Sequence, residues 1–397
     1  MPTPTRVLKF TDTLADINGV CRFIQNTANT ALKTNHNLTV YTSTKLQVPN
    51  QPNIKNFPPI YARPMPGYDT LDLAIPPFTT MLRAAENHAP NVIHISTPGP
   101  VGLVGLALAK LTRTPIVGIY HTDFPAYIQE LFDNPLMTKA ANLAMRTFYK
   151  QFTTVLTRST DYANRLQLLG INPKKIQRLT PGFDNTQFSP TFADPNIWKA
   201  NSVPTQGLKI IFCGRISTEK NLPILTQHWP SIQQQIENAG QQTQLIIIGD
   251  GPYRKTMQQK LANHNAHFLG FKHKQELATL YASADLFVFP STTDTLGQVV
   301  MEAQASGIPV IATNQGGPKE VIIHNQPTQP NSKETGLVLP IDNPQEQTAW
   351  TNAIVTLALN PTRRKAMAAA GIQHMKSFTF QSSFNHYWSI HEAARKL

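Results

Sequence analysis

The chain has 397 residues, enough for two domains of ordinary size, each with its own core. Its apolar fraction of 41% suits a globular protein, and no apolar run approaches the ~20 residues of a spanning helix, which excludes an integral membrane reading. Thirty-five Lys and Arg against 23 Asp and Glu give a net charge of +12, which favours anionic partners, but no basic run with interleaved aromatics points to nucleic acid.

Two cysteines, Cys21 and Cys213, offer neither a disulfide framework nor a metal-ligand spacing, and no signal-peptide pattern opens the chain. A cytoplasmic protein is expected, with no metal and no cofactor, able to dock on the cytoplasmic face of an anionic membrane.

In chain order, Arg6–Phe10 predicts a first strand, and Val20, Phe23, Ile24, Ala28 and Ala31 share one face of a following helix. The loop between them closes on Asn18 and Gly19, so that backbone amides at the helix start can face a phosphate. Further strands are expected at 38–42, 92–96, 116–120 and 153–157, with helical patterns between several of them, while 47–77, rich in Pro and Asn, reads as irregular. Such alternation indicates a parallel sheet covered by helices. Directly after the 116–120 strand stand His121 and Asp123, and Arg158 with Ser159 ends the next strand, before a helix capped by Thr160 or Asp161. A histidine at a strand's carboxyl end can hydrogen-bond a hydroxyl or shuttle a proton. Residues 134–152 combine Lys139, Arg146 and Lys150 with Leu136, Met137, Leu143, Met145, Phe148 and Tyr149. A basic amphipathic helix of this kind either buries its apolar face in its own domain or lies on an anionic membrane.

Residues 188–206 lack periodicity and carry Pro190, Pro195 and Pro204, which predicts an interdomain linker. Strands then resume at 208–212, 245–248, 267–269, 286–289 and 309–312. The expected organisation is a first domain over 1–187, the linker over 188–206, a second domain over 207–375 and a C-terminal helix over 376–397.

The second half carries the densest chemistry. Strand 208–212 runs into Gly214 and Arg215, then Lys220 and Asn221; Arg215 with its planar fork and Lys220 as a point charge can converge on a diphosphate. Gly249 and Gly251 flank Asp250, a candidate helix cap, in a tight turn after the next strand, and Lys272 follows the strand after that. Asp294 lies in a polar loop, Glu302 on the helix after it and away from its apolar stripe, and Gly316, Gly317 and Pro318 open another helix. Two carboxylates beside backbone amides at the carboxyl ends of parallel strands suit a ligand with hydroxyls and an anionic group, such as a nucleotide sugar.

This pattern (Gly-Arg-x4-Lys-Asn, then Asp294 and Glu302 separated by seven residues, then Gly-Gly-Pro-x-Glu) resembles the donor site of GT-B retaining glycosyltransferases, and among them family 4, which includes lipid-modifying mannosyl-, glucosyl- and sulfoquinovosyltransferases. That family usually has Glu where this chain has Asp294. The resemblance spans nearly the whole chain. It implies two facing doubly wound Rossmann-like domains and a UDP- or GDP-linked hexose donor. It further implies transfer with retention, and a C-terminal helix that crosses back to the first domain. It gives His121, Arg215, Lys220 and Asp294 the catalytic roles, and Asn18, Gly19, Gly214, Gly249, Gly251, Lys272, Glu302, Gly316 and Gly317 to the donor. Asp123 and Arg158 fall to the acceptor side, the acceptor being a lipid or glycolipid.

Three rivals remain in view. A GT-B sugar-nucleotide epimerase shares the fold and the donor, a transferase for a soluble or polysaccharide acceptor shares the chemistry, and a binding module without activity shares the site. Arg215, Lys220 and Glu302 are all present, which speaks against the last. A dinucleotide enzyme is disfavoured because no Gly-x-Gly-x-x-Gly follows the first strand.

Overall fold

The computed structural model describes residues 3–15, 19–65, 68–121, 123–184, 186–324 and 334–396. The chain divides into two compact units, residues 1–180 with 381–397, and residues 181–380.

The first unit contains β1 (Arg6–Phe10), β2 (Asn37–Thr42), β3 (Ile54–Asn56), β4 (Tyr61–Met65), β5 (Tyr68–Ile75), β6 (Val92–Ile95), β7 (Ile116–Ile119), β8 (Thr154–Thr157) and β9 (Ile176–Arg178). Seven of these form one parallel sheet in the order β3-β2-β1-β6-β7-β8-β9. β6, β7 and β8 are buried at every position, as strands covered by helices on both faces must be. The helix Gly19–Lys33 supplies Phe23, Ile24, Ala28 and Ala31 to the core, as their helical spacing predicts. The 47–77 stretch is more regular than expected: it holds β3 and an antiparallel hairpin of β4 and β5. The hairpin escaped prediction because prolines inside and beside it mask the two-residue alternation.

The second unit contains β10 (Leu208–Cys213), β11 (Thr243–Ile248), β12 (Ala266–Gly270), β13 (Leu286–Phe289), β14 (Val310–Thr313) and β15 (Gly336–Leu339), a parallel sheet in the order β12-β11-β10-β13-β14-β15. Its strands are near-continuous runs of Ile, Leu, Val and Phe, and they form the centre of one apolar core.

The expected linker is not one. Phe188, Trp198 and Val203 are buried in the second unit's core, the short helix Asn196–Ala200 carries Trp198 inward, and the division falls at Thr180 and Pro181 instead. A few isolated aromatic anchors leave no periodic signature, so sequence pattern misses such a segment. The helix Phe380–Arg395 packs on the first unit: Ser383 Oγ donates to Thr180 O at 2.7 Å, and the His36 ring lies 4.5 Å from Trp388. No helix among the described residues is long and apolar enough to cross a membrane.

Candidate functional site

In the second sheet the connection from β10 goes to β11 on one side, and the chain later returns to β13 on the other. The strand order therefore reverses between β10 and β13, the place where open parallel sheets bind ligands beyond their carboxyl ends. Both flanking loops carry predicted site residues. After β10 come Gly214, half-buried Arg215 and Lys220; after β13 comes Asp294. The two loops meet: Lys220 Nζ lies 2.8 Å from Asp294 Oδ2, with side chains only 16% and 26% exposed. Ser291 Oγ donates to the same carboxylate oxygen, and Asn221 Nδ2 donates to Pro290 O at 3.2 Å, tying the loops together a second time. Lys220 is expected on a diphosphate and Asp294 on hydroxyls of the ligand, and Ser291 carries no expected role. The structure joins the three in one network, in which Lys220 orients the carboxylate and is itself oriented by it.

The glycine turns shape this edge. Gly249 has φ +128°, and a Cβ there would stand 2.0 Å from Gly214 O, so any larger residue forces the loops after β10 and β11 apart. Gly316, at φ +71°, brings its turn so near the Asp294 loop that a Cβ would lie 2.6 Å from Asp294 O. The amides of several predicted donor-facing residues are engaged within the protein. Gly214 N donates to Ile248 O, Gly249 N to Gly270 O, Gly251 N to Asp250 Oδ1 and Gly317 N to Asp294 O. These glycines thus hold loops in close approach, and the expectation that the Gly317 amide faces a ligand is corrected.

Glu302 sits on the helix Gln298–Ala305, which is buried on nearly all sides, and Glu302 itself is 2% exposed. Two further expectations change. The helix expected after Pro318 is a single 3-10 turn, Pro318–Val321. Asp250 is not a helix cap: the N-cap of Arg254–Lys260 is Tyr253, and Asp250 pairs with Arg254 at 2.6 Å. Lys272 follows β12, where it pairs with Glu276 one helical turn on, at 2.6 Å. Ser217, between Arg215 and Lys220, was not predicted; its buried hydroxyl has no partner among the described residues. A lone serine in a loop gives no sequence signal to find it by.

The first unit carries its own group at the carboxyl ends of β7 and β8. His121 is 6% exposed, and neither ring nitrogen has a hydrogen-bond partner among the described residues. Burial, then the Arg158 and Lys9 charges, holds its pKa well below the ordinary 6.5, so the ring is neutral. Arg158 stacks over the Phe23 ring at 4.4 Å, and the His121 ring meets the same Phe23 edge to face at 5.8 Å. Gly19 begins the helix that bears Phe23; Asn18 lies outside the described residues. Asp123 belongs to the scaffold: it caps the helix Phe124–Phe132 through Ala126 N, accepts from Tyr120 Oη at 3.0 Å and pairs with Arg165 at 3.0 Å. The cap of the helix Thr160–Leu168 is Ser159, not Thr160 or Asp161.

Comparison with known proteins agrees with this geometry. The family model for glycosyl transferases group 1 matches residues 194–374, and that for Glycosyltransferase Family 4 matches residues 17–187. A GDP-mannose-dependent alpha-mannosyltransferase of Mycobacterium tuberculosis is 32% identical over 70% of this chain and 68% of its own length. The chain belongs to glycosyltransferase family 4. The sulfoquinovosyl transferase SQD2 of Arabidopsis thaliana is 32% identical over 66% of this chain, which spans 50% of that relative. The alpha-monoglucosyldiacylglycerol synthase of Streptococcus pneumoniae is 25% identical over 77% of this transferase and 70% of its own length. Among solved structures, sucrose-phosphate synthase of Thermosynechococcus elongatus superposes with TM-score 0.76 at 16% identity, covering 98% of each chain. Anabaena HepE in complex with UDP and glucose gives 0.74 at 18% identity, covering 99% of this chain and all of that one. The transferase has the GT-B fold.

Proposed function

We propose that the transferase moves a hexosyl group from a UDP- or GDP-linked sugar to a hydroxyl of a membrane lipid or glycolipid, with retention and without a divalent metal. The observation that carries this reading is the meeting of Lys220 and Asp294 at the strand-order reversal of the second sheet, beside Arg215. A departing nucleoside diphosphate gathers negative charge, and Arg215 and Lys220 supply fixed cations for it at a site where little reorganisation is needed. Ser217, whose hydroxyl has no partner among the described residues, adds a donor to the same loop. Asp294, held by Lys220 and Ser291, accepts from hydroxyls of the transferred sugar, and Glu302 takes the two ribose hydroxyls. Neutral His121 serves as a hydrogen-bonding group toward a sugar hydroxyl, not as a cation.

The names of the Mycobacterium and Streptococcus relatives, a GDP-mannose-dependent enzyme and a diacylglycerol glycoside synthase, favour this donor type and a lipid acceptor. The helix Pro135–Tyr149 supports docking on an anionic membrane: Leu136, Met137 and Leu143 are 75%, 42% and 64% exposed, with Lys139, Arg146 and Lys150 in solvent on the same segment. The test is calorimetric titration with UDP and GDP, with and without chelator, followed by turnover of the matching sugar nucleotide on lipid vesicles. Chelator-insensitive binding of one diphosphate and net sugar transfer are expected. Binding of neither, by folded protein, overturns the reading, and conversion of the sugar nucleotide without an acceptor replaces it with an epimerase.

A further inference from the structure

The first sheet has its own reversal of strand order, between β1 and β6. Lys9 on β1 and His94 on β6 are register partners across it, so their side chains leave the same face. Lys9 is 0% exposed, yet its Nζ has no hydrogen-bond partner among the described residues; it lies 5.2 Å from the Phe23 centroid and 5.0 Å from that of Tyr387. Arg158 and His121 reach the same Phe23 ring from the ends of β8 and β7. His94 Nδ1 contacts His391 Nε2 at 2.9 Å, and because His391 Nδ1 donates to Tyr387 O, His94 is the donor, so its own Nε2, an acceptor in this tautomer, has no partner among the described residues.

Two cationic side chains and His121 thus meet at the Phe23 ring, with His94 beside them against Tyr387, and no described carboxylate joins them. Asp12, three residues from Lys9, is engaged elsewhere, accepting from Thr97 Oγ1 and from the amides of Val101 and Gly102, and Asp123, two from His121, caps a helix and pairs with Arg165. Buried donors are almost always satisfied in native proteins, and each one left unmade costs roughly 1–3 kcal/mol. Lys9 Nζ and the N–H of neutral His121, both left unmade beside Phe23, call for a bound group that restores both the bonds and the charge.

We infer that this cluster is an oxyanion-binding subsite of the first unit, in which Arg158 and His121 contact a phosphate, sulfonate or carboxylate group and Lys9 provides compensating charge behind Phe23. Within the transferase reading, on which its identity as an acceptor site rests, the acceptor carries an anionic group near the hydroxyl that receives the sugar. The charged groups nearest the anion are Lys9 from β1 and Arg158 after β8, and the imidazoles of His94, His121 and His391 beside them are neutral. Burial and the Arg158 charge hold Lys9 to about 7, so an arriving anion draws a proton onto it near pH 8.

The test is calorimetric titration of the full chain with inorganic sulfate, which does not itself titrate, at pH 8 in two buffers of different ionisation enthalpy. Wild type is expected to bind sulfate with proton uptake. Arg158→Gln is expected to bind at least about tenfold more weakly. Lys9→Met, whose apolar side chain suits the buried site, is expected to bind without proton uptake. Sulfate binding unchanged in both variants overturns the inference, as does binding that only Arg215→Gln abolishes, which places the ion in the second unit. Sulfate lost to Arg158→Gln while UDP and GDP both fail to bind wild type leaves the subsite standing and removes the transferase reading. Competition with sulfate by glycerol 3-phosphate points to a soluble phosphoester; competition by phosphatidylglycerol vesicles alone points to a lipid headgroup.

Discussion

Replacing Lys9 with Met tests the first unit's electrostatics without touching its surface. The side chain is wholly buried, and its pKa is lowered from 10.5 to about 7, first by burial and then by Arg158. A lysine with a folded pKa below its unfolded one binds fewer protons folded than unfolded in the window between the two. Wild-type stability therefore rises with pH from 7 toward 10.5, by up to ~1.4 kcal/mol per pH unit from this residue. Met fills a similar volume and carries no proton, so Lys9→Met is more stable than wild type at pH 7, and its advantage shrinks by roughly 2–3 kcal/mol on going to pH 9. His94, His121 and His391 are likewise held down, chiefly by burial, but the unfolded chain charges them only near 6.5 and below. Tyr387, raised by burial, and the other tyrosines act only as pH nears 10. The pH 7–9 comparison thus isolates Lys9. Urea midpoints of both proteins at pH 7, 8 and 9 are the assay. A stability difference that does not change with pH refutes the reasoning, because it would mean that Lys9 is charged to the same extent folded and unfolded.

Three further outcomes are expected. Lys220→Met and Asp294→Asn are coupled by about 1 kcal/mol or more in a double-mutant cycle of diphosphate binding or stability, since both side chains are mostly buried; additive effects would show that the pair is not a unit. Gly249→Ala destabilises by at least about 2 kcal/mol, because a Cβ 2.0 Å from Gly214 O at φ +128° forces the two loops apart; a melting temperature lowered by roughly 4–8 °C together with weakened diphosphate binding is the signature, and wild-type values for both count against the site. Leu136→Asp with Leu143→Asp lowers partitioning onto phosphatidylglycerol vesicles by about tenfold or more in a flotation assay, while circular dichroism stays unchanged; undiminished partitioning assigns any membrane contact to another surface.

The sequence by itself determined the parallel α/β architecture, most strand positions, the C-terminal helix and the loops that carry Arg215, Lys220, Asp294 and the glycine turns. These are local signals: buried parallel strands read as short apolar runs, and tight turns demand glycine within a few residues of a strand end. Tertiary structure decided the rest, because the deciding contacts lie far apart in the chain. Lys220 and Asp294 are 74 residues apart and meet only because β10 and β13 are neighbours across the strand-order reversal. His94 and His391, separated by 297 residues, meet only through the return of the last helix, and no periodicity announces that a buried Lys9 shares their face. Trp198 and its neighbours read as linker because a single aromatic anchor has no repeat to detect, and Asp123 read as an acceptor-side group because its ion-pair partner Arg165 lies far along the chain. Apolar periodicity is written along the chain, whereas the pairing of polar groups is set by which strands become neighbours.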